Sequence, residues 1–159
     1  MITITTKIDY KCLLLNIFLP LFLGSFIGYV TAPYNNYNSI KLPSFAPLGI
    51  VFPIVWSILY TLMGISSYLI IKSNSNKKYD ALFIYGIQLI INLFWSIWFF
   101  IFRFYLFSFI WIILLIICVG IMIKKFFDIN KISAYIQIPY LLWLLFACIL
   151  NLFVYFLNM

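Results

Sequence analysis

Five apolar stretches, each long enough to cross a bilayer, dominate this chain of 159 residues. A helix needs about 20 apolar residues to cross a hydrocarbon core of about 30 Å. Residues 13–32, 48–71, 81–102, 105–123 and 134–157 meet that requirement. Backbone groups cannot stay unpaired in lipid, and stretches of this length without period-two alternation form helices rather than barrel strands. The sequence therefore predicts an all-α integral membrane protein, with residues 1–159 forming a single domain and a bundle of five transmembrane helices.

The composition excludes a soluble monomer and a disordered chain. Hydrophobic residues make up 67% of the sequence and charged residues only 8%, against about 25% charged residues in an ordinary soluble domain. Ten basic residues oppose three acidic ones, a balance that in a soluble protein would suggest nucleic acid as a partner. Here the basic residues lie in the gaps between apolar stretches. We interpret them as topology signals and predict a lipid bilayer, not nucleic acid, as the partner.

The distribution of lysine and arginine predicts the orientation. Eight basic residues fall on the side of the amino terminus and two on the other, so the amino terminus is predicted to be cytoplasmic and the carboxyl terminus outside, in a bacterial plasma membrane. The eight are Lys7, Lys11, Lys72, Lys77, Lys78, Lys124, Lys125 and Lys131, and the two are Lys41 and Arg103. A cleaved signal peptide is the alternative for the first stretch, but that stretch is long for such a segment and no A-x-A site follows it.

The sequence lacks the groups that ordinary enzymes use to move protons. It has no histidine and no glutamate, and its three aspartates lie in or beside the polar gaps. The cysteines are widely spaced and form no CxxC motif; they are Cys12, Cys118 and Cys148. We therefore predict no metal site, no required cofactor and no acid–base catalytic residue.

Polar and aromatic residues recur at helical spacing within three of the stretches. In the third stretch they are Gln88, Asn92, Trp95, Ser96 and Phe99. The second repeats the pattern with Pro53, Trp56, Ser57, Tyr60, Met63, Gly64 and Ser67, and the fifth with Gln137, Tyr140, Trp143 or Leu144, Ala147, Cys148, Asn151 and Tyr155. Residues at these offsets share one helix face, and lipid offers polar groups no partner, so the three faces are predicted to point inward.

Two interpretations of these inward faces remain open. In the first, the amides and hydroxyls only form hydrogen bonds between helices, which are worth about 0.6 kcal/mol each. Alternatively, the large rings keep the helices apart and line a cavity. An apolar cavity with a few polar atoms is the usual form of a small-molecule site, and its ligand would be flat and hydrophobic.

The remaining stretches carry weaker signals. Gly24 and Gly28 form a GxxxG pair, which indicates either close packing inside the bundle or self-association. The fourth stretch has little inward polarity and is predicted to be the helix most exposed to lipid. The long gap from Pro33 to Pro47 is stiffened by proline and is predicted to lie over the mouth of the bundle as a lid.

Three blocks of sequence resemble one known family. They are residues 43–47 (PSFAP) with 52–64 (FPIVWSILYTLMG), residues 88–100 with Asn92 and Trp95, and residues 139–151 with Trp143 and Asn151. These blocks are similar to the loop with the second helix, to the third helix and to the fifth helix of the translocator protein family, also called tryptophan-rich sensory proteins or peripheral benzodiazepine receptors. The resemblance runs through all five stretches in order.

The resemblance implies a five-helix bundle, commonly a homodimer, that binds porphyrins such as protoporphyrin IX and haem and acts as a sensor or translocator. The ligand-binding positions that it implies here are Pro47, Trp56, Asn92, Trp95, Trp143, Ala147 and Leu150. Phe45 and Ile50 stand where typical members have tryptophan, so the ligand preference of this chain is expected to differ.

Two other functions remain as alternatives. Some bacterial members are reported to promote light-dependent porphyrin breakdown, and the resemblance implies that Trp56 and Trp143 would take part. A light-excited porphyrin supplies its own reactivity, so the protein would need only to hold it against oxidisable indoles. The second alternative is a structural membrane protein without a ligand.

Overall fold

The computed structural model describes residues 8–35 and 40–159, and it forms helices without strands in these ranges. Six α-helices follow one another: α1 (Tyr10–Thr31), α2 (Val51–Ile71), α3 (Lys78–Ser96), α4 (Tyr105–Phe127), α5 (Lys131–Ile136) and α6 (Ile138–Asn158). A 3₁₀ turn, Ala32–Tyr34, extends α1, and a π-helical segment, Ile97–Ile101, extends α3. With α5 and α6 taken as one, the described residues contain five helices long and apolar enough to span a membrane. The predicted fold class is thereby confirmed.

The fifth span begins earlier than predicted and is interrupted once. It starts at Lys131 rather than Ala134, because Asn130 caps α5 by accepting a hydrogen bond from the backbone N–H of Ser133 (3.1 Å). The interruption falls at Gln137, shortly before Pro139 in the first turn of α6. Proline has no N–H to donate and disfavours helical backbone in the residue before it. The short α5 therefore ends where α6 begins.

The helices pack in a ring in which α2 and α6 stand apart. Helix α1 packs along α2, α3 packs against α4, and α4 packs against α6. Helix α2 reaches the fifth span chiefly through α5, where the hydroxyls of Ser66 and Ser133 lie 2.8 Å apart. Farther along, aromatic rings fill the space between α2 and α6, with the centroids of Trp56 and Tyr140 6.2 Å apart. Large rings thus hold these two helices apart and leave room for cavities.

Helices α1 and α2 approach most closely near one end of the bundle. A Cβ on Gly64 would overlap the backbone of Ile17, so only glycine allows this approach. Nearby, the Ser67 hydroxyl donates to Asn16 Oδ1 (3.0 Å). We call this the basic end; it contains the start of α1, the α2–α3 turn and the α4–α5 turn. The opposite end, which contains residues 40–50, the α3–α4 turn and the end of α6, is called the lid end.

An exposed ion pair joins α1 to α2 outside the apolar spans. Lys72 Nζ lies 2.7 Å from Asp9 Oδ2, and the backbone N–H of Asp9 donates to the Tyr68 hydroxyl (3.1 Å). The hydrogen bond from Lys72 holds the pKa of the Asp9 carboxyl below its ordinary value and raises the pKa of Lys72. Both side chains are exposed to solvent, so this pair orients the chain before α1 more than it stabilises the fold.

Two predictions about individual helices need correction or refinement. Helix α4 is not the most exposed span, because it buries six residues whereas α1 buries only Pro20 and Thr31. Uniform apolarity in α4 reflects burial on one side and lipid on the other.

Of the GxxxG pair, Gly24 packs inside the bundle against the ring of Tyr60, as the first interpretation predicts, whereas a Cβ at Gly28 would meet open space.

The turn between α3 and α4 is tight. Phe102 closes the π-helical segment by donating its N–H to the Ile97 carbonyl (3.2 Å), and α4 begins three residues later. Arg103 itself adopts a left-handed conformation with φ 56°. Residues with a Cβ pay a steric penalty in the left-handed conformation, and the short connection forces Arg103 to adopt it.

Candidate ligand-binding cavity

The inward faces of the helices enclose space in two compartments. The α1-side compartment, about 410 Å³, lies between α1, α2 and α3. The α6-side compartment consists of two smaller pockets, about 90 Å³ and about 10 Å³, between α2, α3, α4, α6 and the linker before α2. Four side chains line both the α1-side compartment and the smaller of the two α6-side pockets, and we call them the partition: Phe52, Trp56, Asn92 and Trp95.

Most of the predicted site residues meet in the α6-side compartment. Trp56, Asn92, Trp95, Trp143 and Ala147 line its smaller pocket. Leu150 lines the adjacent pocket, which it shares with Trp95 and Ala147. Pro47 is half-buried in the linker before α2 and does not line these three pockets. The structure thus brings six of the seven positions to one compartment and leaves Pro47 beside it.

Asn92 joins three helices through its amide. Its Oδ1 accepts a hydrogen bond from the Tyr60 hydroxyl (2.8 Å), and its Nδ2 donates to the Tyr140 hydroxyl (3.1 Å). Tyr140 in turn donates to Gln88 Oε1 (2.9 Å). All four side chains are buried. The amide therefore already has protein partners across the bundle, and it contributes a fixed polar wall to both compartments.

The partition is held in place by further polar and aromatic contacts. Trp95 donates its indole N–H to Asn151 Oδ1 (3.2 Å), and Asn151 donates to the backbone carbonyl of Tyr105 (2.8 Å). The Trp56 ring stacks on Tyr60 with centroids 5.3 Å apart. Trp95 is therefore fixed in position by α6, whereas Trp56 is held by ring contacts alone among the interactions described.

Trp143 presents an unused hydrogen-bond donor at the α6-side compartment. Its indole Nε1 is buried and has no hydrogen-bond partner among the described residues. The ring itself is held edge-on by Phe52, with centroids 5.8 Å apart. A buried N–H without a partner costs free energy unless another group accepts from it. A ligand with an acceptor oxygen or nitrogen in this compartment would satisfy it.

Phe52 is a site residue that the sequence interpretation omitted. It lines both compartments and contacts Trp143, yet it was absent from the inferred binding positions. Its position four residues before Trp56 places it on the same face of α2, and that spacing was the available signal. Phe52 directly precedes Pro53, the first residue of the predicted inward face, and extends the aromatic wall toward the lid end.

The described part of the linker before α2 covers the lid end of α6. The backbone N–H and carbonyl of Lys41 pair with the side-chain amide of Asn158 (3.0 and 2.9 Å). The Phe45 ring packs edge-on against Phe153, with centroids 5.2 Å apart, and against Phe146 at 6.4 Å. Part of the segment predicted to form a lid, residues 36–39, lies outside the described residues. Residues 40–50 do lie over this end of the bundle.

The chemistry that the cavity can perform is narrow. The side chains around it are aromatic, aliphatic, amide or hydroxyl, and no cluster of three potential metal ligands occurs within residues 8–35 and 40–159. An arrangement of this kind can enclose an apolar ring system and offer it a few hydrogen bonds. It offers no ionised group for general acid or base catalysis.

Comparison with known proteins gives a consistent family assignment. The model of the TspO/MBR family matches residues 16–157. The chain is similar to the tryptophan-rich protein TspO of Chlorobaculum tepidum, with 32% identity over 77% of this chain and 78% of the relative. It is also similar to TspO of Archaeoglobus fulgidus (35% identity, 77% and 79% covered) and to protein CrtK of Rhodobacter capsulatus (29%, 82% and 83%).

The matched residues include every position of the three blocks on which the resemblance rests. They also include the aromatic walls of both compartments. The five membrane-spanning helices fit the same assignment, since they place the chain in a lipid bilayer as a multi-pass protein. The chain belongs to the TspO/MBR family of integral membrane proteins.

Proposed function

We propose that this protein binds a porphyrin-type hydrophobic ligand and acts as a sensor or translocator for it. The observation that carries the proposal is the α6-side compartment, where aromatic walls surround the unused indole N–H of Trp143. A porphyrin matches this chemistry because it is flat and largely apolar, while its carboxylates supply hydrogen-bond acceptors. The resemblance to the translocator protein family supports the same ligand class.

The volumes indicate how such a ligand would be accommodated. Drug-sized ligands occupy sites of roughly 300–1,000 Å³, and the two α6-side pockets are much smaller than that. The α1-side compartment supplies the missing space, about 410 Å³, on the other side of the partition. The ligand would therefore occupy both compartments and displace the Trp56 ring, since Trp95 is fixed by its bond to Asn151.

A titration with protoporphyrin IX in the dark tests this function. Purified protein in lipid nanodiscs should quench tryptophan fluorescence saturably on binding. Trp143→Phe removes the free donor, and a neutral hydrogen bond is worth about 0.5–1.5 kcal/mol, so the dissociation constant should rise about two- to tenfold. Absence of saturable binding by the unmodified protein would refute the proposal.

Trp98→Phe provides a matched control for that titration. Its Nε1 is likewise buried and has no hydrogen-bond partner within residues 8–35 and 40–159, but Trp98 lies among Phe102, Phe107 and Trp111 on the α3–α4 side and does not line the three pockets. Loss of this indole should leave the affinity unchanged. Equal weakening by both substitutions would mean that Trp143 acts through general stability rather than through the ligand.

Light-dependent breakdown of the porphyrin is a second candidate function. The observation that favours it is that Trp56 and Trp143 line the same small pocket, so one bound ring system would touch both indoles. Phenylalanine keeps a ring at each site but is harder to oxidise. If the indoles react, Trp56→Phe and Trp143→Phe should abolish the light-driven loss of porphyrin absorbance while dark binding persists. Decay at the rate of free porphyrin in all three proteins would exclude this activity.

A further inference from the structure

The α1-side compartment has an edge that faces lipid. On α1 its lining includes Ser25 and Gly28, and on α2 it includes Pro53 and Ser57; all four residues are exposed. A Cβ added to Gly28 would meet no atom within 4 Å. Behind these small residues lie the partition rings. We call the gap bounded by these four residues the α1–α2 slot.

The close contacts described between α1 and α2 lie on the side of the slot nearer the basic end. At the basic end, Gly64 allows the backbone of Ile17 to approach, and Asn16 bonds to Ser67. About one turn beyond the middle of α1, Gly24 packs against the Tyr60 ring. At Gly28 the same helix faces empty space. The two helices are thus joined at one end and open in the half of the membrane nearest the lid end.

Two hydroxyls at or beside the slot, those of Ser57 and Thr31, are compatible with lipid. The Ser57 hydroxyl donates to the Pro53 carbonyl one turn earlier (2.8 Å), and the Thr31 hydroxyl donates to the Ile27 carbonyl (2.9 Å). The protons of these two hydroxyls are therefore satisfied within their own helices. An apolar molecule can pass such groups without leaving a donor unpaired.

Above α6, by contrast, the described part of the linker covers the entrance from water. Asn158 binds both backbone groups of Lys41, and Phe45 packs on Phe153. Opening this lid would break two hydrogen bonds and expose an aromatic contact. Passage through the slot requires neither change.

We propose that the ligand enters the cavity from the membrane, through the α1–α2 slot, rather than from water through the lid. This inference rests on the proposed porphyrin-binding function. A hydrophobic ligand dissolves in the bilayer before it meets the protein, and the slot opens directly onto the larger of the two compartments. The Trp56 ring then separates the entry compartment from the donor of Trp143.

Two substitutions with a matched control test the route. Gly28→Phe fills the slot where the structure leaves space, and Gly120→Phe places the same ring on α4, where a Cβ also meets nothing. With protoporphyrin IX preloaded in phosphatidylcholine vesicles, Gly28→Phe should slow association about tenfold, within the one to three decades typical of variants at one site. Gly120→Phe should bind at the rate of the unmodified protein. Unchanged kinetics in Gly28→Phe would overturn the route.

Asn158→Ala tests the competing entrance, because it releases Lys41 from α6. The lateral route predicts no change in the association rate, whereas entry from water predicts acceleration, and acceleration would overturn our inference. Failure of the proposed function gives a different result, namely no porphyrin binding by the unmodified protein at equilibrium.

A readout without porphyrin keeps the route testable in that case. In bilayers of brominated phosphatidylcholine, acyl chains that enter the slot should quench the fluorescence of Trp56. The contribution of Trp56 is the difference in fluorescence between the protein with Trp56 and the same protein carrying Trp56→Phe. Gly28→Phe should reduce this quenching at least twofold, in keeping with loss of contact between lipid and ring. Equal quenching with and without Gly28→Phe would show that lipid does not enter the slot.

Discussion

Asn92 bonds to two tyrosines that lie on different helices. Helical spacing in the sequence identified the inward face that carries it, because that spacing is a local property of one helix. It did not identify Tyr60 and Tyr140 as its partners, since partnership depends on how three helices are rotated about their axes. The sequence thus predicts which residues point inward better than it predicts what each one contacts there.

The Asn92 network predicts a coupled loss of stability. Asn92→Leu leaves the Tyr60 hydroxyl without its acceptor, and Tyr60→Phe leaves Asn92 Oδ1 without its donor. Hydrogen bonds between membrane helices average about 0.6 kcal/mol, with a maximum of about 1.7, so each variant should lower the free energy of unfolding by about that amount. The double variant should lose less than the sum of the two losses. Reversible unfolding in mixed micelles measures this cycle, and strict additivity would mean that the bond contributes nothing.

Gly24 and Gly28 should respond oppositely to alanine. A Cβ at Gly24 overlaps the Tyr60 ring, and overpacking a core typically costs about 1–3 kcal/mol. A Cβ at Gly28 meets nothing, and alanine is favoured over glycine in a helix by up to about 1 kcal/mol. Thermal unfolding in detergent should therefore show a lower midpoint for Gly24→Ala and an equal or higher one for Gly28→Ala. Equal destabilisation by both variants would contradict the packing described here.

At the scale of the helices, the existence of the five spans could be predicted but not their relative burial. Length and apolarity identify a span, and lipid favours the same residues on the outside that a core favours on the inside. For that reason the uniformly apolar α4 was wrongly expected to be the most exposed helix, although it buries six residues. Pro139 did carry a local signal for the break between α5 and α6, because proline acts on the backbone directly.

The turn between α3 and α4 allows a test of strain in a connection. Arg103 has φ 56°, a region that costs an L-residue roughly 1–2 kcal/mol and glycine almost nothing. Arg103→Gly should leave the protein equally stable or stabilise it by up to about 1 kcal/mol, whereas Arg103→Val should destabilise it. Both variants remove the same charge, so the difference between their unfolding midpoints isolates the backbone effect. An Arg103→Val protein as stable as Arg103→Gly would show that the turn is unstrained.

At the scale of the whole molecule, the helix order explains why the basic residues collect at one end. Because consecutive spans run in opposite directions, the start of α1, the α2–α3 turn and the α4–α5 turn share one end of the bundle. Described residues that contribute charge there include Lys72, Lys78, Lys124 and Lys131. Lys41 and Arg103 lie at the opposite end. This asymmetry could be predicted from the sequence, because it depends only on the number of spans and on the gaps in which the basic residues lie.

The asymmetry predicts that the amino terminus faces the cytoplasm and the carboxyl terminus the outside, since loops rich in Lys and Arg stay on the cytoplasmic side. In a bacterial host, a reporter that is active only in the cytoplasm should report activity when fused before Met1 and none when fused after Met159. A reporter active only outside should give the reverse. Replacing Lys72, Lys77 and Lys78 with Gln should yield a mixed population by reducing the bias from eight against two to five against two. Identical results at both termini would contradict an odd number of spans. Activity of the cytoplasmic reporter after Met159 but not before Met1 would contradict the predicted orientation.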